Sequence, residues 1–125
     1  MAGLINAGVV RAEESAEYLT DERCFILELA NDQHDPKASI SRARVTPGVT
    51  TVQHRVRATE ERYVILAGRG IAEIGGLEPQ RVGPGDVVLI PAGRPQRIAN
   101  IGNEDLVFLC ICTPRFEWRN YESLE

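Results

Sequence analysis

The sequence predicts an all-β fold, with short strands arranged as a sandwich or barrel, on three observations. Apolar stretches of strand length recur along the chain, Gly and Pro separate them at short intervals, and helical character is confined to two brief segments. A chain of 125 residues has the length of one ordinary domain. We therefore expect a single all-β domain with one core.

The predicted elements follow from the apolar stretches and the turn residues between them. Pro47-Gly48, Gly83-Pro84-Gly85 and Pro91-Ala92-Gly93 are examples of the turns. Helix is predicted only over residues 12–18 and in the segment after Pro114. The predicted strands are residues 24–29, 38–45, 51–57, 63–66, 71–74, 87–90, 96–99 and 106–112.

Charge and hydropathy exclude several classes of protein. The formal net charge is −4, whereas a domain that binds nucleic acid is usually basic. The longest apolar runs are far shorter than the roughly 20 residues that cross a bilayer. The first residues lack a basic segment ahead of a long apolar stretch, so no secretory signal is recognised. We expect a cytoplasmic protein that neither spans a membrane nor binds nucleic acid.

The three cysteines favour a reduced protein over a disulfide scaffold, because three thiols cannot all pair within one chain. Cys110 and Cys112 are two residues apart in an extended apolar stretch and therefore share one face of a strand. With no second thiol pair and no nearby histidine in the sequence, both are predicted to be buried structural thiols.

Alternation along two stretches places polar groups inside the predicted barrel. Over residues 52–58, His54 shares its face with Val52 and Val56, so it is expected to point inward. In the next stretch Glu61 and Tyr63 share a face. An imidazole, a carboxylate and a phenol in one interior are unusual, because burying an unpaired charge is costly. His34, in contrast, lies in a turn-rich loop and is expected to be solvated.

The sequence resembles the cupin superfamily of small β-barrel proteins in two motifs of matching spacing. The first cupin motif is Gly, five residues, His-x-His, three or four residues, Glu, six residues and Gly; its positions here are Gly48, His54, Val56, Glu61 and Gly68. The second is Gly, five residues, Pro-x-Gly, two residues, His, three residues and Asn; its positions here are Gly85, Pro91, Gly93, Gln96 and Asn100.

The resemblance implies a double-stranded β-helix, the jelly-roll barrel of cupins, over the whole chain. It implies an N-terminal arm and strands over residues 1–37, the conserved barrel over 38–113 and a C-terminal tail over 114–125. The aromatic residues of the tail are expected to pack on the barrel or across a dimer.

In cupins that bind metal, the ligands are usually the two histidines and the glutamate of the first motif and the histidine of the second. Carried over by position, His54 and Glu61 match, but Val56 and Gln96 replace two imidazoles. The resemblance thus implies an incomplete site of His54, Glu61 and Gln96 for a divalent ion such as Zn, Ni, Mn or Fe. Alternatively, His54 is a core histidine hydrogen-bonded to Glu61 or Gln96 without a metal.

Two functions for a small-molecule pocket follow from the resemblance and the interior residues. In the first, an enzyme of isomerase, cyclase or lyase type acts on a small polar substrate, with His54 and Glu61 catalytic. Gln96 and Tyr63 would then contact the ligand. In the second, the same pocket binds or senses a ligand without turnover and without metal.

A homodimer is the partner that the resemblance implies, because cupins commonly dimerise by pairing sheets. Val64 and Leu66 alternate with the interior residues and would form an apolar outer face. The long N-terminal segment, which includes residues 25–27, is expected to add a strand to a partner and so cover an exposed sheet edge.

Overall fold

The computed structural model describes residues 5–125, which form eleven β-strands and two short 3₁₀ turns. The 3₁₀ turns are Glu14–Ala16 and Trp118–Asn120. The strands are β1 (Tyr18–Leu19), β2 (Phe25–Ala30), β3 (Ser39–Val45), β4 (His54–Val56), β5 (Glu60–Ala67), β6 (Gly70–Ile74), β7 (Gln80–Val82), β8 (Val87–Ile90), β9 (Gln96–Asn100), β10 (Leu106–Thr113) and β11 (Tyr121–Ser123).

The strands form two antiparallel sheets, in the order β1-β2-β3-β10-β5-β8 and β11-β4-β9-β6-β7. Several neighbours in the sheets are far apart in sequence, as the β10–β3 and β4–β9 pairs illustrate. The all-β prediction is confirmed. Within residues 5–125, no helix has the length and apolar character that crossing a bilayer requires.

The core lies between the two sheets and follows from strict alternation along the strands. Every second residue of β10, from Leu106 to Cys112, is buried, and the residues between them are partly exposed. Strands β5 and β9 alternate in the same way. This parity brings Ile65 and Ile98 into the apolar core together with Phe108. It also turns polar residues of β4, β5 and β9 toward the interior.

Most of the predicted strands are present, but several bounds differ and three short strands were not predicted. The strand predicted over residues 51–57 is only His54–Val56, whereas Glu60–Ala67 is longer than expected. The two predicted helices reduce to 3₁₀ turns of three residues each. The short strands β1, β7 and β11 were not predicted. Each is only two or three residues long and is defined by its pairing with a neighbouring strand, so its own sequence carries no clear apolar alternation.

Residues 25–27 of the N-terminal segment pair within their own sheet. Strand β2 pairs with β3 along Phe25 to Ala30, and β1 covers its other side over two residues. Segment 25–27 is therefore an internal strand of its own sheet, because its apolar residues are needed to extend the core of the same molecule.

Candidate functional site

A cavity of about 50 Å³ lies in the barrel between the two sheets. It has room for a few water molecules or an ion with its waters. Of the cavity-lining residues that the structure describes, none is Lys or Arg, whereas Glu22, Glu28 and Glu61 supply carboxyl groups. The other polar or sulfur-bearing lining residues are Cys24, Ser41, Thr51, His54, Tyr63, Cys110, Cys112, Trp118 and Tyr121.

His54 projects from β4 into this cavity and is only 5% exposed, as alternation predicts. Its Nδ1 lies 2.7 Å from the carbonyl oxygen of Val52, which can only accept a hydrogen bond. The neutral ring therefore carries its proton on Nδ1 and a lone pair on Nε2. That lone pair makes Nε2 the atom available to a ligand, a metal or a proton.

Two residues that sequence reasoning did not identify flank the imidazole. Glu22 follows β1, in a turn closed by a 2.8 Å hydrogen bond from Thr20 Oγ1 to the carbonyl oxygen of Cys24, and its Oε2 lies 3.8 Å from His54 Nε2. Tyr121 of β11 stacks on the imidazole, with ring centroids 5.0 Å apart. No local sequence pattern predicts either contact, because Glu22 lies in a turn and Tyr121 in a strand of only three residues.

Glu61 projects from β5 into the same cavity and is also only 5% exposed. Its Oε1 accepts a hydrogen bond from Gln96 Nε2, and its Oε2 accepts one of 3.2 Å from the thiol of Cys110. Burial raises the pKa of this carboxyl group, while the hydrogen bond from Cys110 and the nearby His54 act in the opposite direction. Glu61 thus keeps a proton to higher pH than a solvated glutamate does.

Gln96 joins the two sheets through both atoms of its amide. Its Oε1 accepts a hydrogen bond from the hydroxyl of Tyr63, and its Nε2 donates to Glu61, so the orientation of the amide is set by its partners. Gln96 belongs to β9 in the five-stranded sheet, whereas Tyr63 and Glu61 belong to β5 in the six-stranded sheet. The amide therefore holds the carboxylate of Glu61 in place across the barrel.

The thiols of Cys110 and Cys112 lie beside Glu61, an arrangement that the sequence analysis did not predict. Both side chains are buried, and their Sγ atoms are 3.6 Å apart. Cys112 is the direct register partner of Glu61 across β10 and β5, and its Sγ lies 3.9 Å from Glu61 Oε2. The interaction with Cys112, together with burial, raises the pKa of the Cys110 thiol well above its usual range.

The structure thus brings three of the four predicted site residues, Glu61, Gln96 and Tyr63, into one hydrogen-bonded chain. The fourth, His54, lines the same cavity, and its nearest carboxylate contact is with Glu22. Of the predicted metal ligands, Gln96 already uses its amide oxygen to accept a hydrogen bond from the hydroxyl of Tyr63. The metal-binding atoms closest to Glu61 are the two thiols, and one donor atom from each of the three residues lies within 4.8 Å of the others.

A family model of the cupin domain matches residues 41–112, which contain both predicted motifs and most of the barrel. The chain belongs to the cupin family. The double-stranded β-helix expected from the motifs is confirmed by this match and by solved structures with that fold.

Relatives of this cupin include proteins of known and unknown role. It is 36% identical over 110 residues to the uncharacterised protein MJ1618 of Methanocaldococcus jannaschii, covering 86% of this chain and 87% of that protein. It is 31% identical over 78 residues to an oxalate-binding protein of Thermotoga maritima, covering 62% of this chain and 64% of the relative.

A solved structure that resembles this cupin is the capsular polysaccharide assembling protein CapF from Staphylococcus aureus. The TM-score is 0.71 at 22% identity, and the match covers 87% of this chain. The cupin spans only 34% of CapF, so the comparison concerns the fold.

Proposed function

We propose that this cupin binds a small polar molecule in its cavity and transfers a proton on it, as an enzyme of isomerase, cyclase or lyase type. The observation that carries the proposal is the state of His54. Its Nδ1 proton is held by the backbone carbonyl of Val52, so Nε2 presents a lone pair to the partly open cavity. A general base needs a lone pair at an atom that a substrate can reach.

The reaction would consist of a proton transfer at carbon. His54 Nε2 removes a proton from a carbon next to a carbonyl group, and the C–H electron pair moves toward the carbonyl oxygen. The imidazolium then returns the proton to the former carbonyl carbon, while the proton of the neighbouring hydroxyl group moves to the enolate oxygen and a new carbonyl group forms at the carbon that carried this hydroxyl. Glu61, whose pKa burial raises, is the second group of the cavity suited to hold a proton.

A divalent ion in this barrel would polarise the carbonyl oxygen of the substrate. Binding of Zn, Ni, Mn or Fe by His54, Glu61 and Gln96 stays a prediction. Because both amide atoms of Gln96 are hydrogen-bonded to protein side chains, we expect this residue to orient Glu61 and not to bind the metal.

The charge of the cavity favours a neutral substrate over a free anion. Glu22, Glu28 and Glu61 all line it, and no Lys or Arg is among its described lining residues. A dianion such as oxalate would have no arginine or lysine partner there. Together with the volume of about 50 Å³, this favours a small hydroxycarbonyl compound as substrate.

The second function is ligand binding without turnover, and one observation favours it. Gln96 uses both of its amide atoms within the protein, and both oxygens of Glu61 have protein partners. Fewer polar atoms therefore remain to act on a reacting group than in a pocket with free carboxylate oxygens. In this case the cavity would hold its ligand mainly through His54 and apolar walls.

Hydrogen exchange at carbon distinguishes the two functions. Glycolaldehyde, hydroxyacetone and dihydroxyacetone are incubated with the protein in D₂O, and loss of their α-proton signals is followed by NMR. We expect exchange with the native chain and a loss of about 100-fold or more in His54→Ala, because a positioned base contributes about 10²- to 10⁴-fold.

His34→Ala is the matched control, because His34 is the other of the two histidines and is exposed. It should exchange protons at the native rate. Equal exchange in native protein and His54→Ala would contradict the enzymatic proposal. Thermal stabilisation by one of these compounds, lost in His54→Ala and accompanied by no exchange, would establish the binding function in its place.

We further propose that the outer face of the six-stranded sheet forms a homodimer interface. Val64 and Val87 face each other there in register across β5 and β8. On the same face Leu66 is 48% exposed and Leu89 is 66% exposed, next to the unpaired edge of β8. A second copy would bury these side chains and cover the edge.

Sedimentation at micromolar concentration tests this interface. We expect a dimer of the 13.8 kDa chain, and we expect Leu89→Lys to shift it to monomer because a charge would be buried in an apolar contact. Leu77→Lys is the control, since Leu77 is 61% exposed in the β6–β7 turn. A native chain that sediments only as a monomer would rule out the dimer.

A further inference from the structure

We infer that Cys110, Cys112 and Glu61 form a binding site for one thiophilic divalent cation, with Zn²⁺ as the best match. The site differs from the set implied by the motif positions, because it uses two sulfurs of β10 and does not include His54 or Gln96 as a ligand. It also goes beyond the proposed function, since proton transfer by His54 does not require it.

The distances between the three donor atoms match those that zinc imposes. A tetrahedral zinc ion with Zn–S bonds of about 2.3 Å holds two sulfurs about 3.8 Å apart. The Sγ atoms of Cys110 and Cys112 are 3.6 Å apart. With a Zn–O bond of about 2.1 Å, each sulfur lies about 3.6 Å from the oxygen. The observed separations from Glu61 Oε2 are 3.2 Å to Cys110 and 3.9 Å to Cys112.

The fold provides this geometry through strand parity and register. The two cysteines share a face of β10 because they are two residues apart. Glu61 lies directly across from Cys112 on β5. Its other oxygen is held by the amide of Gln96, which is in turn held by Tyr63. These two hydrogen bonds leave Glu61 Oε2 directed at the sulfurs. Residues that hydrogen-bond to metal ligands commonly orient them in this way.

The chemistry of the donors selects the class of ion. Two thiolates and one carboxylate would supply three negative charges to a dication, and no Lys or Arg among the described lining residues opposes it. Sulfur ligands favour Zn²⁺ and other soft or borderline ions over Mg²⁺ or Ca²⁺. Binding displaces the two thiol protons, so burial of the cysteines does not prevent ligation.

The number of ligands indicates an open site. All three residues line the cavity, and three protein ligands leave one tetrahedral position for water or a substrate oxygen. A bound ion would therefore face the same space as His54 and would not be enclosed as in a structural zinc site.

Cobalt binding to the full chain tests the site, because sulfur ligands give Co²⁺ an intense near-ultraviolet charge-transfer absorption that oxygen and nitrogen ligands do not. The reduced protein is first freed of metal with a chelator and then titrated with Co²⁺. We expect this absorption to saturate at one ion per chain and to disappear when Zn²⁺ is added. Cys110→Ala and Cys112→Ala should each abolish or strongly weaken it, and Glu61→Gln should lower the affinity by about 10-fold or more.

Two variants separate this site from its alternatives. Cys24→Ala, which removes the third buried thiol, should keep the absorption, and so should His54→Ala. Circular dichroism of each variant establishes that it is folded, and Zn²⁺ affinity measured with a competing chelator gives a second readout. Lack of sulfur-to-cobalt absorption in the native chain, its persistence in both Cys110→Ala and Cys112→Ala, or its loss in Cys24→Ala would overturn the inference. None of these outcomes bears on α-proton exchange by His54.

Discussion

Replacing Val56 and Gln96 by histidine should raise the affinity of the barrel for Ni²⁺ by about 100-fold or more, because it adds two direct imidazole ligands. Both positions are only 2% exposed and face the interior beside His54. Position 96 is the register partner of His54 across β4 and β9, and Val56 lines the cavity. The larger side chains should cost about 1–3 kcal/mol of stability through overpacking.

Calorimetric titration of the Val56→His/Gln96→His protein with Ni²⁺ measures this gain. The matched control is Arg62→His/Arg97→His. It also adds two histidines, but on the outward faces of the two sheets. We expect no comparable gain in the control. If the two double variants bind nickel equally well, the interior of the barrel does not bring these positions into one site with His54.

Replacing Gly68 by alanine should destabilise the protein by about 3 kcal/mol. This loss combines the cost of a left-handed backbone conformation at a residue other than glycine with the cost of a steric clash. Gly68 has φ of +85°. A Cβ there would lie 2.5 Å from the carbonyl oxygen of Asp105 and 2.8 Å from the Cα of Leu106. These are backbone atoms at the start of β10, so relief would require a shift of the strand that carries the two thiols.

Gly85→Ala is the comparison that isolates the steric part of this effect. Gly85 has φ of +92° with no atom within 4 Å of an added Cβ, so only the conformational cost of about 1–2 kcal/mol is expected. Urea unfolding of the two variants gives the free energies. Equal losses would mean that the contact between Gly68 and residues 105–106 is not tight in solution.

The fold was predictable because glycine and proline separate strands whose faces alternate. The same parity placed His54, Glu61 and Tyr63 inside the barrel, where the structure has them. Parity predicts which face a residue occupies, but it does not say which residue of another strand lies opposite. Register is a property of two strands at once and is set by the packing of the whole barrel.

The rest of the site depends on such pairings and was missed for that reason. Cys112 meets Glu61 only through the register of β10 against β5. Tyr121 reaches His54 because three residues at the end of the chain pair with β4. A hydrogen bond from His54 to either Glu61 or Gln96 was one expectation from the sequence, whereas in the structure Gln96 donates a hydrogen bond to Glu61.

Strand β11 places Tyr121 in the wall of the cavity, next to Trp118. Ser123 is paired with His54 itself, and Glu125 is tied to the backbone nitrogen of Gln53 by a 2.9 Å hydrogen bond. Trimming a few residues from this end should unstack Tyr121 and expose the imidazole to solvent.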